Sequence, residues 1–167
     1  MSLLVGASAA QQIDEEQEAT YELIDTDTSS SALGLLETTF NQGLQNYDQY
    51  YDYFYALAVS KDVENRKKAI DLLIRMKSPS SHSTLLLAKT LYSINDYERA
   101  RDYAEGLLRS HPDDSRIKTL WQATCYRWNE NKQQQQQQQQ KEIVVGVGIG
   151  VVGVGAAILL SYMMKKK

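Results

Sequence analysis

Leu85, Lys89 and Tyr92 fall at i, i+4 and i+7, a spacing that sets an aliphatic group, an ammonium and a phenol along one face of a helix. Such a face binds rather than reacts, because it offers apolar contact, one charge and one hydroxyl but no nucleophile beside a base. An earlier stretch, YDYFYALAV, puts Tyr51, Tyr55 and Val59 on a comparable face. Core packing is the competing role at each of these six positions. The aromatic residues Tyr47, Tyr50, Tyr51, Tyr53, Phe54, Tyr55 and Tyr92 are nevertheless more than one small core absorbs, and tyrosine supplies large contact area at low entropic cost.

Groups suited to catalysis are sparse. His82 and His111 lie at helix borders with no cysteine or carboxylate at ligand spacing, so neither a metal site nor a cofactor site is expected. His111, just before Pro112, reads as a helix C-terminal residue favoured by the macrodipole. Cys125 is the single cysteine; it rules out a disulfide within the chain, suits a reducing compartment and fits a packing role. No glycine-rich phosphate loop occurs outside the C-terminal stretch, and the expectation is a protein that is not an enzyme.

Charge is split along the chain. Residues 1–60 hold ten acidic side chains and no Lys or Arg, whereas residues 61–167 hold all 18 basic residues against 11 acidic ones. The acidic front is therefore able to fold back on the remainder. With a net charge of −3 and no basic stripe, nucleic acid is not an expected partner.

The elements that must position these residues are helical, and the chain reads as all-α. Residues 1–40 form an acidic arm, partly disordered, with no fixed structure expected over 1–12, a short amphipathic helix over 13–24 and a polar break over 26–31. Residues 41–131 form the folded domain, with helices expected over 45–61, 63–76, 82–94, 97–110 and 115–130. The second of these carries an apolar stripe of Ala69, Ile70, Leu72, Leu73 and Met76. Breaks fall at 77–81, at Asn95-Asp96 and at 111–114. Residues 132–142 are a Gln-rich linker of low complexity.

Residues 143–164 contain no charged side chain. As a helix, a 22-residue segment reaches roughly 33 Å, enough for a hydrocarbon core of ~30 Å. A strand or a buried core helix is the competing reading, but strands rarely run so long, and five glycines weaken a soluble helix while being common in membrane spans. Ile143 and Met164 bound the expected single transmembrane helix, and Lys165, Lys166 and Lys167 follow as a basic targeting tail. Gly146 and Gly150 satisfy G-x-x-x-G, which offers a route to a homo-oligomer within the membrane. A tail-anchored chain with its folded part in the cytosol is the expectation.

Residues 81–114 span 34 positions, the tetratricopeptide period. Leu87-Ala88 stand at the Leu-Gly pair of that pattern, Leu91 at its tyrosine, Ala100 at the close helix crossing and Pro112 at the stop. Residues 51–80 read as a degenerate earlier copy, with Ala69 answering to Ala100. One repeat cannot bury its own faces, so two repeats with flanking helices predict a tetratricopeptide-like bundle of five or six helices with one concave face.

The segments YDYFYALAVSK, RKKAIDLL and DYERARDYAEGLL, followed in that order by a basic-ended anchor, resemble the mitochondrial fission 1 protein family over about residues 45–167. The resemblance implies a six-helix cytosolic bundle held in the mitochondrial outer membrane, and often in the peroxisomal membrane, by its C-terminus. It implies a non-enzymatic adaptor that brings a dynamin-related GTPase, directly or through adaptor proteins, to the organelle. The groove residues would then be Tyr51, Tyr55, Val59, Leu85, Lys89 and Tyr92. The arm here is longer and more acidic than in the family, where its contact with the groove shapes partner access, and the Gln run is an insertion. The alternative is a tail-anchored repeat receptor for chaperones or precursor proteins. Its carboxylate clamp wants clustered Lys, Arg and Asn, yet Leu85 and Leu86 occupy those places and Lys89 alone fits.

Overall fold

The computed structural model describes the backbone of residues 2–24, 28–42 and 47–164, with side chains at 4–18, 33–42 and 50–139. All regular structure among these residues is helical: α1 (Ser2–Ile24), α2 (Thr28–Asn41), α3 (Tyr47–Ala58), α4 (Val63–Ile74), α5 (Ser81–Ser93), α6 (Tyr97–Ser110) and α7 (Ser115–Met164). The chain is thus all-α. It divides into two units, residues 1–128 and residues 129–167.

Local chemistry sets the helix ends. Asp62 caps α4 by accepting from the Glu64 amide at 2.9 Å, and Ser80 caps α5 by accepting from the Ser83 amide at 3.1 Å. Between α5 and α6 the chain reverses through Asn95, whose φ of 65° lies in the left-handed region that asparagine tolerates. Asp96 then caps α6, accepting from the Arg99 amide. Asp114 accepts from the Arg116 amide at 2.9 Å and opens α7, and the neighbouring Arg116 guanidinium holds the Asp114 carboxyl down at about 2.

In the first unit α3 pairs with α4 and α5 with α6, while α4 packs on α5, α2 on α3 and α3 on α5. The seam is filled by Tyr53, Phe54 and Leu57 of α3, Ala69, Ile70 and Leu73 of α4, and Leu87, Ala88 and Leu91 of α5. Ala100 and Ala104 of α6 and Leu120 and Ala123 of α7 complete it. Small residues at full burial let helix axes approach closely. In the second unit α7 continues as helical backbone to Met164, and residues 133–139 of the glutamine run are exposed within it.

Three expectations change. Helix begins at Ser2 rather than at residue 13, because Ala9, Ala10 and Ile13 bury a stripe against the core and so offset the entropic loss of ordering the arm. Residues 28–41 are a helix, so the stretch expected as a polar break over 26–31 is helical from Thr28 onward. There the hydroxyls of Thr38 and Thr39 donate back to the Gly34 and Leu35 carbonyls, and Leu33, Leu36 and Phe40 pack on the core. The aromatic surplus is largely internal: Tyr50, Tyr53, Phe54 and Tyr92 are buried, and Phe40 meets the Tyr50 ring edge-on at 4.9 Å. Among the described residues no helix is long and apolar enough to cross a membrane; the span expected at 143–164 lies outside the described side chains.

Candidate partner-binding groove

Helices α3 and α5 meet along a shallow groove. Tyr55, Ala58 and Val59 line one wall; Leu86, Lys89, Thr90 and Ser93 line the other, around a cavity of about 90 Å³. Thr90 is buried because its hydroxyl donates to the Leu86 carbonyl at 2.7 Å within the helix. Ser93 is held from beneath: the buried Arg66 of α4 donates to its carbonyl at 3.0 Å and to the Lys61 carbonyl at 3.4 Å. A guanidinium at the carbonyl end of α5 also complements that helix's dipole.

Glu16 and Gln17 of α1 close the cavity, for α1 lies over the groove. Gly6 seats it on α7, where an added Cβ would stand 3.0 Å from the Tyr126 Cβ. Ala9, Ala10 and Ile13 are buried below. Asp14 accepts from the Tyr92 hydroxyl at 3.0 Å and pairs with Arg127 through its other oxygen. Lys89 bridges to Glu16 at 2.8 Å, and the Gln17 amide donates to the Lys89 carbonyl at 3.3 Å. A second opening of about 110 Å³ runs along the other flank of α1, between Gln12, Ile13 and Glu16 and the Arg116 end of α7.

The electrostatics agree with this seating. Burial pushes the Tyr92 phenol above its ordinary value of 10.0; the Arg127 guanidinium opposes the shift and the Asp14 carboxylate reinforces it. Arg127 is in turn held protonated by its bonds to Tyr92 and Asp14. Burial, then Tyr55 and Asp52, raise the Tyr51 phenol.

Of the six residues expected to form the groove, Tyr55, Val59 and Lys89 line the cavity together. Tyr51 stands beside it, its ring stacked on Tyr55 at 6.4 Å. Leu85 is half-buried against the core and outside the lining, and Tyr92 is 2 % exposed beneath α1, with its ring edge on Tyr97 at 5.2 Å. Ala69, Leu87, Ala88, Leu91 and Ala100 are buried, whereas Pro112 is exposed in the turn before α7. Ile143, Gly146, Gly150, Met164 and Lys165, Lys166 and Lys167 lie outside the described side chains. Sequence reading missed Gly6, Asp14, Glu16 and Arg127 as groove residues; the charge asymmetry between the two parts of the chain was the one signal for them.

What this arrangement does chemically is hold a helix by small residues, one isoleucine and two carboxylates. Among the described residues no group of three or more His, Cys, Asp and Glu stands ready for a metal ion. The burial that surrounds Cys125 raises its thiol and leaves it poorly nucleophilic. No protein-family model and no curated protein matches this sequence.

Proposed function

We propose that the chain is a non-enzymatic adaptor of the mitochondrial, and also peroxisomal, outer surface, anchored by a transmembrane helix at 143–164. In this reading α3–α4 and α5–α6 are two tetratricopeptide-like repeats. Their groove receives a helix from a dynamin-related GTPase or from one of its adaptor proteins. The observation that carries the proposal is the seating of α1: a groove that accepts one amphipathic helix through Tyr92, Lys89 and Arg127 has the shape and charge to accept another. Because α1 occupies that surface, access by a partner requires its displacement, and α1 sets the affinity.

The test compares the full chain with a chain lacking residues 2–24, both reconstituted in liposomes and mixed with a purified dynamin-related GTPase, with and without candidate adaptors. The expected result is stronger recruitment without α1, lost again in Lys89→Glu. Depletion in cells should lengthen mitochondria. Absence of recruitment by both chains, with unchanged organelle shape, overturns the reading.

A further inference from the structure

A larger concavity, of about 400 Å³, opens on a different face, between α2, α3 and α4. Its walls are Phe40, Tyr50, Phe54, Leu72 and Met76, and its rim carries Arg75 and Lys77 where α4 ends. The volume lies within the ~300–1,000 Å³ typical of small-molecule sites, which combine apolar and aromatic walls with a few orienting polar groups. Among the described residues it shares none with the groove between α3 and α5.

The rim is positive in excess of local need. Arg75 and Lys77 are exposed and form no ion pair among the described residues, while Lys67 and Lys68 on the same helix are held by Glu64 and Glu37. The carbonyl end of α4 carries only about half a negative charge, less than these two cations supply. A ligand that completes the site therefore brings an anion to the rim and an apolar body to the walls.

The lining also discriminates between kinds of ligand. Among the described residues it contains no Ser, Thr, Asn, Gln or carboxylate side chain, and its one hydroxyl is that of Tyr50, so an extended peptide would bury most of its backbone amides against carbon without partners. An acyl chain has no internal polar group to satisfy. Its terminal carboxylate matches the planar fork of an arginine. We infer that this concavity is a binding site for a single long-chain fatty carboxylate, with the chain against Phe40, Phe54, Leu72 and Met76 and the head between Arg75 and Lys77.

The experiment uses the full chain in phosphatidylcholine nanodiscs and a fatty acid bearing a diazirine and an alkyne, with labelled peptides mapped by mass spectrometry. Label is expected on peptides containing Phe54 and Leu72–Met76. Unlabelled carboxylates should compete with affinity rising up to about fourfold per added methylene until the cavity is full. Arg75→Glu with Lys77→Glu, both at exposed positions, should weaken labelling about tenfold. Leu72→Trp, which fills the cavity without altering charge, should abolish it; circular dichroism checks that both variants retain their helices. Equal competition by the alcohol of the same length, or labelling confined to other regions, overturns the proposal. Stronger competition by lysophosphatidate assigns the rim to a phosphate headgroup and overturns the carboxylate. Displacement by an acidic amphipathic peptide but not by fatty acid assigns the surface to a protein partner and overturns it as well.

Discussion

The hydroxyl of Tyr92 on α5 donates to Asp14 on α1 at 3.0 Å, joining residues 78 positions apart. Arg127 of α7 pairs with the same carboxylate, so three helices converge on one acidic side chain. The phenol must be neutral to donate, and its burial beneath α1 keeps it so. Occupancy of the groove thus depends on a small polar cluster set against an apolar stripe, which makes α1 separable from the core by single substitutions.

Asp14→Asn tests the cluster. The amide keeps an acceptor for Tyr92 but loses the charge facing Arg127. Because the paired side chains are 43 % and 33 % exposed, the loss should be about 1 kcal/mol, below the range for buried charged hydrogen bonds. Faster amide exchange confined to α1, with α3–α6 unchanged, is the expected signature. A double-mutant cycle with Arg127→Gln should give a coupling of similar size; a coupling of zero would remove the pair from the account.

The glycines provide a matched comparison. Gly34 and Gly106 are exposed on α2 and α6 with nothing within 4 Å of an added Cβ, so alanine at either should stabilise the protein by roughly 0.5–1 kcal/mol through helix propensity. At Gly6 the same gain meets the Tyr126 Cβ at 3.0 Å, a backbone-proximal atom that moves only with its helix. Gly6→Ala should accordingly yield little or nothing in urea denaturation, and Gly6→Val should lift the first turns of α1. Equal stabilisation at all three positions would show that α1 is not seated on α7.

Arg66 is 9 % exposed and connects the loop before α4 to the end of α5 through two carbonyls. Arg66→Met leaves the Ser93 and Lys61 carbonyls without that donor and should cost about 2 kcal/mol. Arg66→Lys, with one compact ammonium in place of the fork, should recover part of the loss. Exchange protection near Ser93 should fall in the methionine variant, and groove binding with it, since Ser93 lines the cavity.

The legibility of the sequence follows from where its signals are local. α6 is read to the residue because Asp96 caps it and the 111–114 turn stops it, and both signals sit beside the helix they bound. The N-terminal arm was harder. Its small residues, Gly6, Ala9 and Ala10, carry little hydrophobic weight alone and become core only when α5 and α7 supply the other wall. α2 was hidden by threonines that satisfy themselves within the helix. The spacing placed Tyr92 on one face of α5 with Lys89, but neither its burial beneath α1 nor its partner Asp14 was legible, because helical periodicity carries no information across 78 residues. Arg127, a lone cation between the aromatic Tyr126 and Trp128, gave no local sign of its pairing at all.

Alkaline pH should release α1 through Tyr92. The folded-state phenol lies above its ordinary value of 10.0, chiefly from burial, with Arg127 opposing and Asp14 adding to the rise. Below about pH 10 the phenol is protonated in docked and undocked states alike, and its bond to Asp14 contributes in full. As pH rises past that value the undocked phenol ionises first, so the contribution declines until the docked phenol ionises too. A phenolate there has no proton to donate and repels the Asp14 carboxylate. Tyr92→Phe should cost about 1–2 kcal/mol below pH 10, from the lost hydrogen bond to a charged acceptor. Above pH 10 the urea midpoints of wild type and Tyr92→Phe should converge. Tyr51, whose phenol burial also raises, contributes equally to both proteins and cancels in the difference. A gap that stays constant through the tyrosinate transition would mean that Tyr92 holds α1 by its ring alone, and that the hydroxyl bond to Asp14 does not govern occupancy of the groove.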